Sequence, residues 1–277
     1  MILLIPFKTV LELDSIMQDS KFLEVAKKAA VEAGKIVKKY SGKEHIYTQK
    51  KHIHDFATEA DLESEKTVIE IIKSAFPAHS IVAEEGGSVD NGSEYTWAID
   101  PIDGTVAFVM GMPYYTVSVG LLHNGIPIAG AINSVGTDEL FWAEKDGRAF
   151  VNGKPIQVSR RDKIQESALV LDIGGRNRAK RVQEWLMPFV EEARAIYMMG
   201  GAAFELSYIA RGFIDGCILQ AHPWDFAAGA IILTEAGGKV TNHQGGPVDF
   251  LKDRIDLIAT NGLIHEEFLE RLNSKKG

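Results

Sequence analysis

The sequence predicts a mixed α and β chain, of the α+β class, built in two lobes. Two observations carry this. Residues 80–153 are a run of short β-type segments separated by turn signals, whereas the chain from Ser167 onward alternates strand-like and helix-like segments. The composition, 45% hydrophobic and 25% charged over 277 residues, is that of a globular chain with enough material for a sizeable core. The pattern changes near residues 153–165. Residues 21–157 and 158–277 are therefore expected to form the two lobes, behind an N-terminal extension of residues 1–20.

The extension, "MILLIPFKTVLELD", is apolar but lacks a basic start and a small-residue cleavage site, and is too short to span a membrane. Residues 21–40 put Phe22, Val25, Ala29, Ala33 and Ile36 on one helical face. "SGK" ends that helix. A second helix is expected to start at Asp61, with Glu63 and Glu65 in its first turn and Leu62, Val68, Ile69 and Ile72 as its apolar period. Pro77 closes it.

"SIVAE" (80–84), "YTWAI" (95–99), "YTVSVGLL" (115–122) and "IPIAGAI" (126–132) read as strands, with "HNG" a turn between the last two. "ELFWAE" and "RAFVNG" continue the pattern to about residue 153. Beyond it, "SALVLDI" reads as a strand. "NRAKRVQEWLMPFVEEA" reads as a helix with Pro188 inside or ending it. "AIYMM", a helix opening on glycine at "GGAAFELSYIARG", and the strand "DGCILQ" follow. The helix "WDFAAGAIILTEAGG", the strand "DLIAT" and a last helix "IHEEFLERLNSKK" complete the chain.

With 38 acids against 30 Lys and Arg, the formal charge is −8, which argues against a nucleic-acid groove. The single cysteine, Cys217, allows no disulfide within the chain and is expected to be a small buried hydrophobe, so a cytoplasmic setting is expected. Lysine pairs at 27–28 and 38–39 read as solvated helix faces. Trp97, Trp142 and Trp224 read as core or wall, and His222 as a supporting residue. "HIH" at 52–54 holds two histidines, too few for a metal site.

Three places put carboxylates at the edge of an ordered element: Glu84 and Glu85 after "SIVA", Asp100 and Asp103 after "TWAI", and Asp225 at a helix start. A salt-bridge cluster on the surface is the plain reading of any one of them. Together they form an all-oxygen donor set of the kind that suits Mg²⁺ or Mn²⁺. Two such ions can clamp the attacking and leaving oxygens of a phosphoryl displacement. Gly104 would let backbone approach a phosphate, and Thr105 could open a helix whose free N–H groups face an anion. The acids of "DPIDGT" stand three apart with Pro101 between them, unlike the two-apart acids of haloacid dehalogenase-type phosphatases. The stretch also lacks the acid ladder and terminal Glu of an EF-hand.

Four motifs in order, "DFATEAD" (55–61), "AEE" (83–85), "WAIDPIDGT" (97–105) and "PWDFAAGAIILTEAGG" (223–238), resemble the inositol monophosphatase superfamily of Mg²⁺-dependent, lithium-sensitive-type phosphatases. The resemblance implies a five-layered α-β-α-β-α sandwich, usually dimeric, with two or three Mg²⁺ per site. It implies that Glu84, Asp100 and the Ile102 carbonyl hold one ion, and that Asp100 bridges to a second held by Asp103 and Asp225. Asp61 and Thr105, with Glu84 and the first ion, would position the attacking water. Gly104 and Thr105 would hold phosphate oxygens, Asp103 and the "GGAA" stretch at Gly201 and Ala202 would meet the substrate, and Asp55 would support the acids. Lys50, with Lys51 beside it, falls where the family has a lysine near the phosphate.

Ala107 and Ala83 stand where the family often has Asn and Gly. Leu219 or Gln220 stands where inositol-selective members carry a glutamate, so strict inositol selectivity is not implied. The expected activity is Mg²⁺-dependent hydrolysis of inositol 1-phosphate or fructose 1,6-bisphosphate by a metal-activated water, with no covalent intermediate. Phosphatases for 3′-phosphoadenosine 5′-phosphate or histidinol phosphate are the alternatives within the superfamily. A non-catalytic binding homologue predicts loss of an acid or of the Asp61–Thr105 pair, and none is missing.

Overall fold

The computed structural model describes residues 20–43, 47–49, 56–174 and 177–274. The N-terminal extension, Lys50, Lys51, the "HIH" stretch and Asp55 lie outside the described residues.

The elements run α1 (Lys21–Tyr40), β1 (Tyr47–Gln49), β2 (Phe56–Thr58), α2 (Glu59–Ala75), β3 (Ser80–Ala83), β4 (Tyr95–Asp103) and α3 (Thr105–Val109). A meander follows: β5 (Thr116–His123), β6 (Ile126–Ser134), β7 (Glu139–Glu144), β8 (Ala149–Val151) and β9 (Lys154–Pro155). Then come β10 (Ala168–Leu171), α4 (Arg178–Arg181), β11 (Ala195–Tyr197), α5 (Ala202–Ala210), β12 (Gly216–Ala221), α6 (Pro223–Glu235), β13 (Lys239–Thr241), β14 (Ile255–Thr260) and α7 (His265–Asn273).

Two sheets organise the chain. One has seven strands in the order β3-β4-β5-β6-β7-β8-β9, and the other five in the order β11-β10-β12-β14-β13. Helices α1 and α2 cover the outer face of the larger sheet, meeting Trp97, Ile99, Val117, Val119 and Leu121. Helices α5 and α6 lie between the sheets. The outer face of the smaller sheet packs Leu169, Leu171, Ile218 and Ile258 against Trp185, Phe189 and α7. The result is a five-layered α-β-α-β-α sandwich. Period-two alternation does the sorting: Leu169 and Leu171 face one layer and Val170 the other. Each fully buried side chain of this size contributes about 1.5–3 kcal/mol of transfer free energy.

The middle layer is the tightest. Helix α6 is buried from Phe226 to Leu233. Gly120 and Gly130 let it approach β5 and β6; a Cβ at either would come within 2.7 Å of Ala227 or Ala228. Helix α1 approaches its sheet by the same means, with Ala26, Ala29, Ala30 and Ala33 fully buried. Its buried face is centred on these alanines with Leu23 and Val37, so Phe22 and Ile36, read as central from the sequence, sit at its margins.

Several boundaries differ from the sequence reading, each for a local reason. Helix α2 starts two residues before Asp61, because Thr58 and Asp61 form a capping box that makes Asp61 the third helical residue. The strand read as 95–99 runs on to Asp103. The stretch read as one helix around Pro188 is the four-residue α4 followed by a π turn over Val182–Leu186. Pro188 has no N–H to continue a helix, and Met187 N–H bonds back to the Val182 carbonyl at 2.9 Å. Strand β13 was not read from the sequence at all; its three residues carry too little pattern. Among the described residues no helix is long and apolar enough to cross a membrane.

Candidate active site

The site begins with an irregularity in β4. Asp100 pairs opposite Ser118 on β5, and Asp103 opposite Thr116, so three steps on β4 match two on β5. In a plain strand, residues three apart point to opposite faces. The one extra residue reverses that and brings Asp100 and Asp103 to the same face. Pro101 sits in the bulge, where no N–H is needed for the ladder. Asp100 Oδ1 accepts the N–H of Ile102 at 3.0 Å, and Ser64 of α2 donates to the Pro101 carbonyl at 3.1 Å. Gly104 then turns the chain at φ +83°, in the left-handed region, and α3 follows.

Asp225 arrives from the other end of the chain as the third residue of α6. Its Oδ2 accepts the N–H of His222 at 2.6 Å, which closes the helix start. The His222 and Trp224 rings stack beside it at 4.5 Å. Asp100, Asp103 and Asp225 each offer one carboxylate oxygen, and the three oxygens lie within 4.8 Å of one another.

Such a cluster is costly without a cation. Burial holds the Asp100 carboxyl well above the usual carboxylate range, and the charges of Glu84, Asp103, Asp225 and Asp61 push it further. Burial likewise raises Asp225, with Glu84 and Asp103 adding to it. Asp103 is raised to about 7 by burial, although N–H groups of Phe204 and Ala202 and the Thr116 hydroxyl work against the shift. Three hard oxygen donors converging, with no basic side chain among the described residues that line the cavity, fit a hard divalent cation.

The cluster opens into a cavity of about 210 Å³. Glu84, Asp100, Ile102, Asp103, Gly104, Thr105, Ala202 and Asp225 line it. Of the other residues singled out in the sequence, Gly201 is flanked by two lining residues, Gly200 and Ala202, without lining the cavity itself. Asp61 is fully buried and its charge is felt at Asp100, but it too is absent from the lining. Its Oδ2 accepts both the N–H and the hydroxyl of Thr58, at 2.7 and 2.5 Å. The Thr105 hydroxyl donates to the Ile102 carbonyl at 3.0 Å.

Sequence reasoning missed other residues. Asp172 lines the cavity just past the end of β10, the same position at a strand edge that singled out Asp100. Leu219 and Gln220, the two residues the sequence offered for one selectivity position, both line it, and Gln220 is held by Arg181 at 2.8 Å and Asp256 at 2.6 Å. Glu65 is buried, and its two oxygens accept the N–H groups of Glu85 and Gly87 at 2.6 and 2.9 Å. It pins the loop that follows Glu84. Its helical position in the sequence gave no sign of this.

A five-layered sandwich with three converging aspartates and a glycine turn at one cavity defines a metal-dependent phosphatase. The chain matches the inositol monophosphatase family over residues 18–276, and it belongs to that family. It is 37% identical over 257 residues, 90% of this chain and 94% of the relative, to an Aquifex aeolicus protein named fructose-1,6-bisphosphatase/inositol-1-monophosphatase. Among solved structures, an inositol monophosphatase from Anabaena is 35% identical with a TM-score of 0.81, covering 91% of this chain and 95% of that one. The extragenic suppressor protein suhB from Bartonella henselae is 30% identical with a TM-score of 0.86, covering 93% of this chain and all of that one.

Proposed function

We propose that this protein hydrolyses small sugar or polyol phosphate monoesters with Mg²⁺, with inositol 1-phosphate, fructose 1,6-bisphosphate or both as its substrates. The observation that carries the reading is the convergence of Asp100, Asp103 and Asp225 in one cavity with Gly104, Thr105 and Ala202. The double name of the Aquifex relative supports both substrates.

In this reading Glu84, Asp100, the Ile102 carbonyl, Asp103 and Asp225 hold the cations. Bound there, Mg²⁺ supplies charge cancellation at the phosphate and lowers the pKa of the attacking water. Little covalent work is then left to side chains, so positioning dominates. Gly104 and Thr105 hold the phosphate by their N–H groups. The Thr105 hydroxyl would orient the water, and a carboxylate, Asp61 or Glu84, would take its proton, Thr105 passing its own hydroxyl proton on where it relays. Asp103, Gly201 and Ala202 face the organic part of the substrate. Asp103 is tied to the Ala202 N–H, so the cation side and the substrate side of the cavity are one rigid unit. The protein works as a cytoplasmic homodimer, with lobes dividing near residue 157.

The test is a phosphate-release panel over inositol, sugar, histidinol and nucleotide phosphates, with and without Mg²⁺. Mg²⁺-dependent release from inositol 1-phosphate or fructose 1,6-bisphosphate is expected. Release only from 3′-phosphoadenosine 5′-phosphate or histidinol phosphate would replace the substrate class. Binding without any turnover would make the chain a non-catalytic homologue.

A further inference from the structure

One wholly buried carboxyl beside the cavity has no part in the chemistry above. Glu205 lies in the first turn of α5 and has no exposed surface. The helix begins at Ala202, and Gly201, its cap, has no side chain to satisfy the first N–H groups. Asp103 does so instead, and a second carboxylate holds the residue before the cap. Asp103 reaches in from β4, accepting the N–H of Ala202 on Oδ1 at 2.8 Å and that of Phe204 on Oδ2 at 3.1 Å. Glu205 reaches back from α5, and its Oε1 accepts the N–H of Gly200 at 3.2 Å.

Besides these carboxylates the turn is held by the Glu205 N–H, which bonds to the Gly201 carbonyl at 2.9 Å, and the Met199 N–H also acts on the Glu205 carboxyl. Gly200 sits at φ +78°, and a Cβ on Gly201 would come within 3.0 Å of Asp103 Oδ2, so neither position readily takes a side chain that could pack. Yet Gly200 and Ala202 line the cavity. They form its wall beside the glycine turn: Cβ positions at Gly104 and Gly201 both fall near the Tyr114 carbonyl oxygen, at 2.4 and 3.2 Å. Whatever fixes them fixes what the organic part of a substrate meets.

We propose that Glu205 is a positioning residue that holds the Gly200–Ala202 wall from behind, and so sets affinity for the hydroxyl-bearing part of the substrate and not for its phosphate. The inference rests on the reading of the site as a sugar or polyol phosphatase. Burial, followed by the charges of Asp172 and Asp103, pushes the Glu205 carboxyl well above the usual carboxylate range. Its second oxygen, Oε2, has no hydrogen-bond partner among the described residues. A neutral carboxyl there needs no counter-charge, and glutamine reproduces its shape and its acceptor oxygen.

The test compares phosphate release from inositol 1-phosphate and from p-nitrophenyl phosphate in the wild-type chain, Glu205→Leu, Glu205→Asp and Glu205→Gln, with Mg²⁺ present. The ratio of the two kcat/KM values is independent of how much enzyme is folded. Glu205→Leu is expected to lower that ratio about tenfold, through KM for the inositol ester, which is the scale of one lost hydrogen bond. Glu205→Gln is expected to restore it. Glu205→Asp, one methylene too short to reach Gly200, is expected to behave like Leu and serves if Leu does not fold. An unchanged ratio in Leu and Asp, equal losses in Gln and Leu, or a loss carried by kcat on both esters overturns the proposal. Hydrogen exchange adds a readout independent of turnover: the Gly200 amide is expected to be protected in wild type and Gln, and exposed in Leu and Asp. Equal exchange in all four overturns it as well. A wild-type chain that releases phosphate from neither ester, nor from fructose 1,6-bisphosphate, fails the functional reading, and exchange then decides the Gly200 contact by itself.

Discussion

Asp103 Oδ1 accepts the N–H of Ala202 at 2.8 Å, across 99 residues of chain. Its other oxygen takes the N–H of Phe204 and the Thr116 hydroxyl. One side chain thus joins the strand that carries Asp100 to the start of α5, which also lines the cavity. Among the described residues Asp100 makes no such cross-link; its hydrogen bond is from the Ile102 N–H, two residues away. The two acids of "DPID" can therefore be separated by mutation.

Asp100→Asn is expected to leave the fold intact and to lower Mg²⁺-dependent phosphate release by about a thousandfold or more, the scale of several kcal/mol of lost charge stabilisation. Circular dichroism and a phosphate assay check both halves. Asp103→Asn is expected to lose activity and also to loosen the start of α5, because its amide NH₂ then faces an N–H donor. Unchanged turnover in Asp100→Asn would sink the assignment of the acid cluster as the cation site.

The metal-free protein is expected to lose stability as pH rises. Asp103, ordinarily near 3.8, is raised to about 7, and Asp100 and Asp225 are raised in the same direction. An acid whose folded pKa is raised holds its proton in the folded state while the unfolded chain has released it. Folding stability therefore falls as pH climbs from about 4 through about 7. Mg²⁺ binds the ionised carboxylates and works in the opposite sense. The Mg²⁺-induced rise in Tm should be larger at pH 8 than at pH 5. A rise that is equal at the two pH values contradicts the argument.

Gly104→Ala is expected to damage both stability and activity. The residue sits at φ +83°, and an added Cβ would lie 2.4 Å from the Tyr114 carbonyl oxygen, a backbone atom with little room to move. The left-handed conformation alone costs an alanine about 1–2 kcal/mol, before the overlap is counted. Thermal unfolding and the phosphate assay would both register it. A Tm within a degree of wild type would show that the turn can relax.

Much of this site is legible in the sequence because its chemistry is local. "WAIDPIDGT" presents two acids, a proline, a glycine and a hydroxyl within nine residues, and the structure puts Ile102, Gly104 and Thr105 at the cavity with them. Asp225 is legible for a similar reason: a carboxylate at a helix start has a capping role that its sequence neighbours reveal. Glu65, Asp172 and Glu205 are not legible in this way. Each works through a contact to a backbone group or a charge whose position depends on another element. Glu65 looks like any solvated residue of an amphipathic helix until the loop at 85–87 folds over it.

The sequence by itself determined most of the element types, the three aspartates that converge and the family, because these follow from side-chain period, turn chemistry and residue spacing. It did not determine which acids face one another. In β4 that was decided by the one-residue bulge against β5, since a period of two would otherwise send Asp100 and Asp103 to opposite faces. Nor did it determine the rest of the cavity wall. Gly200, Ala202 and Gln220 line one cavity with Asp103 only once α5 and α6 are buried between the two sheets, a packing that depends on glycines at 120 and 130 that the local pattern never explained.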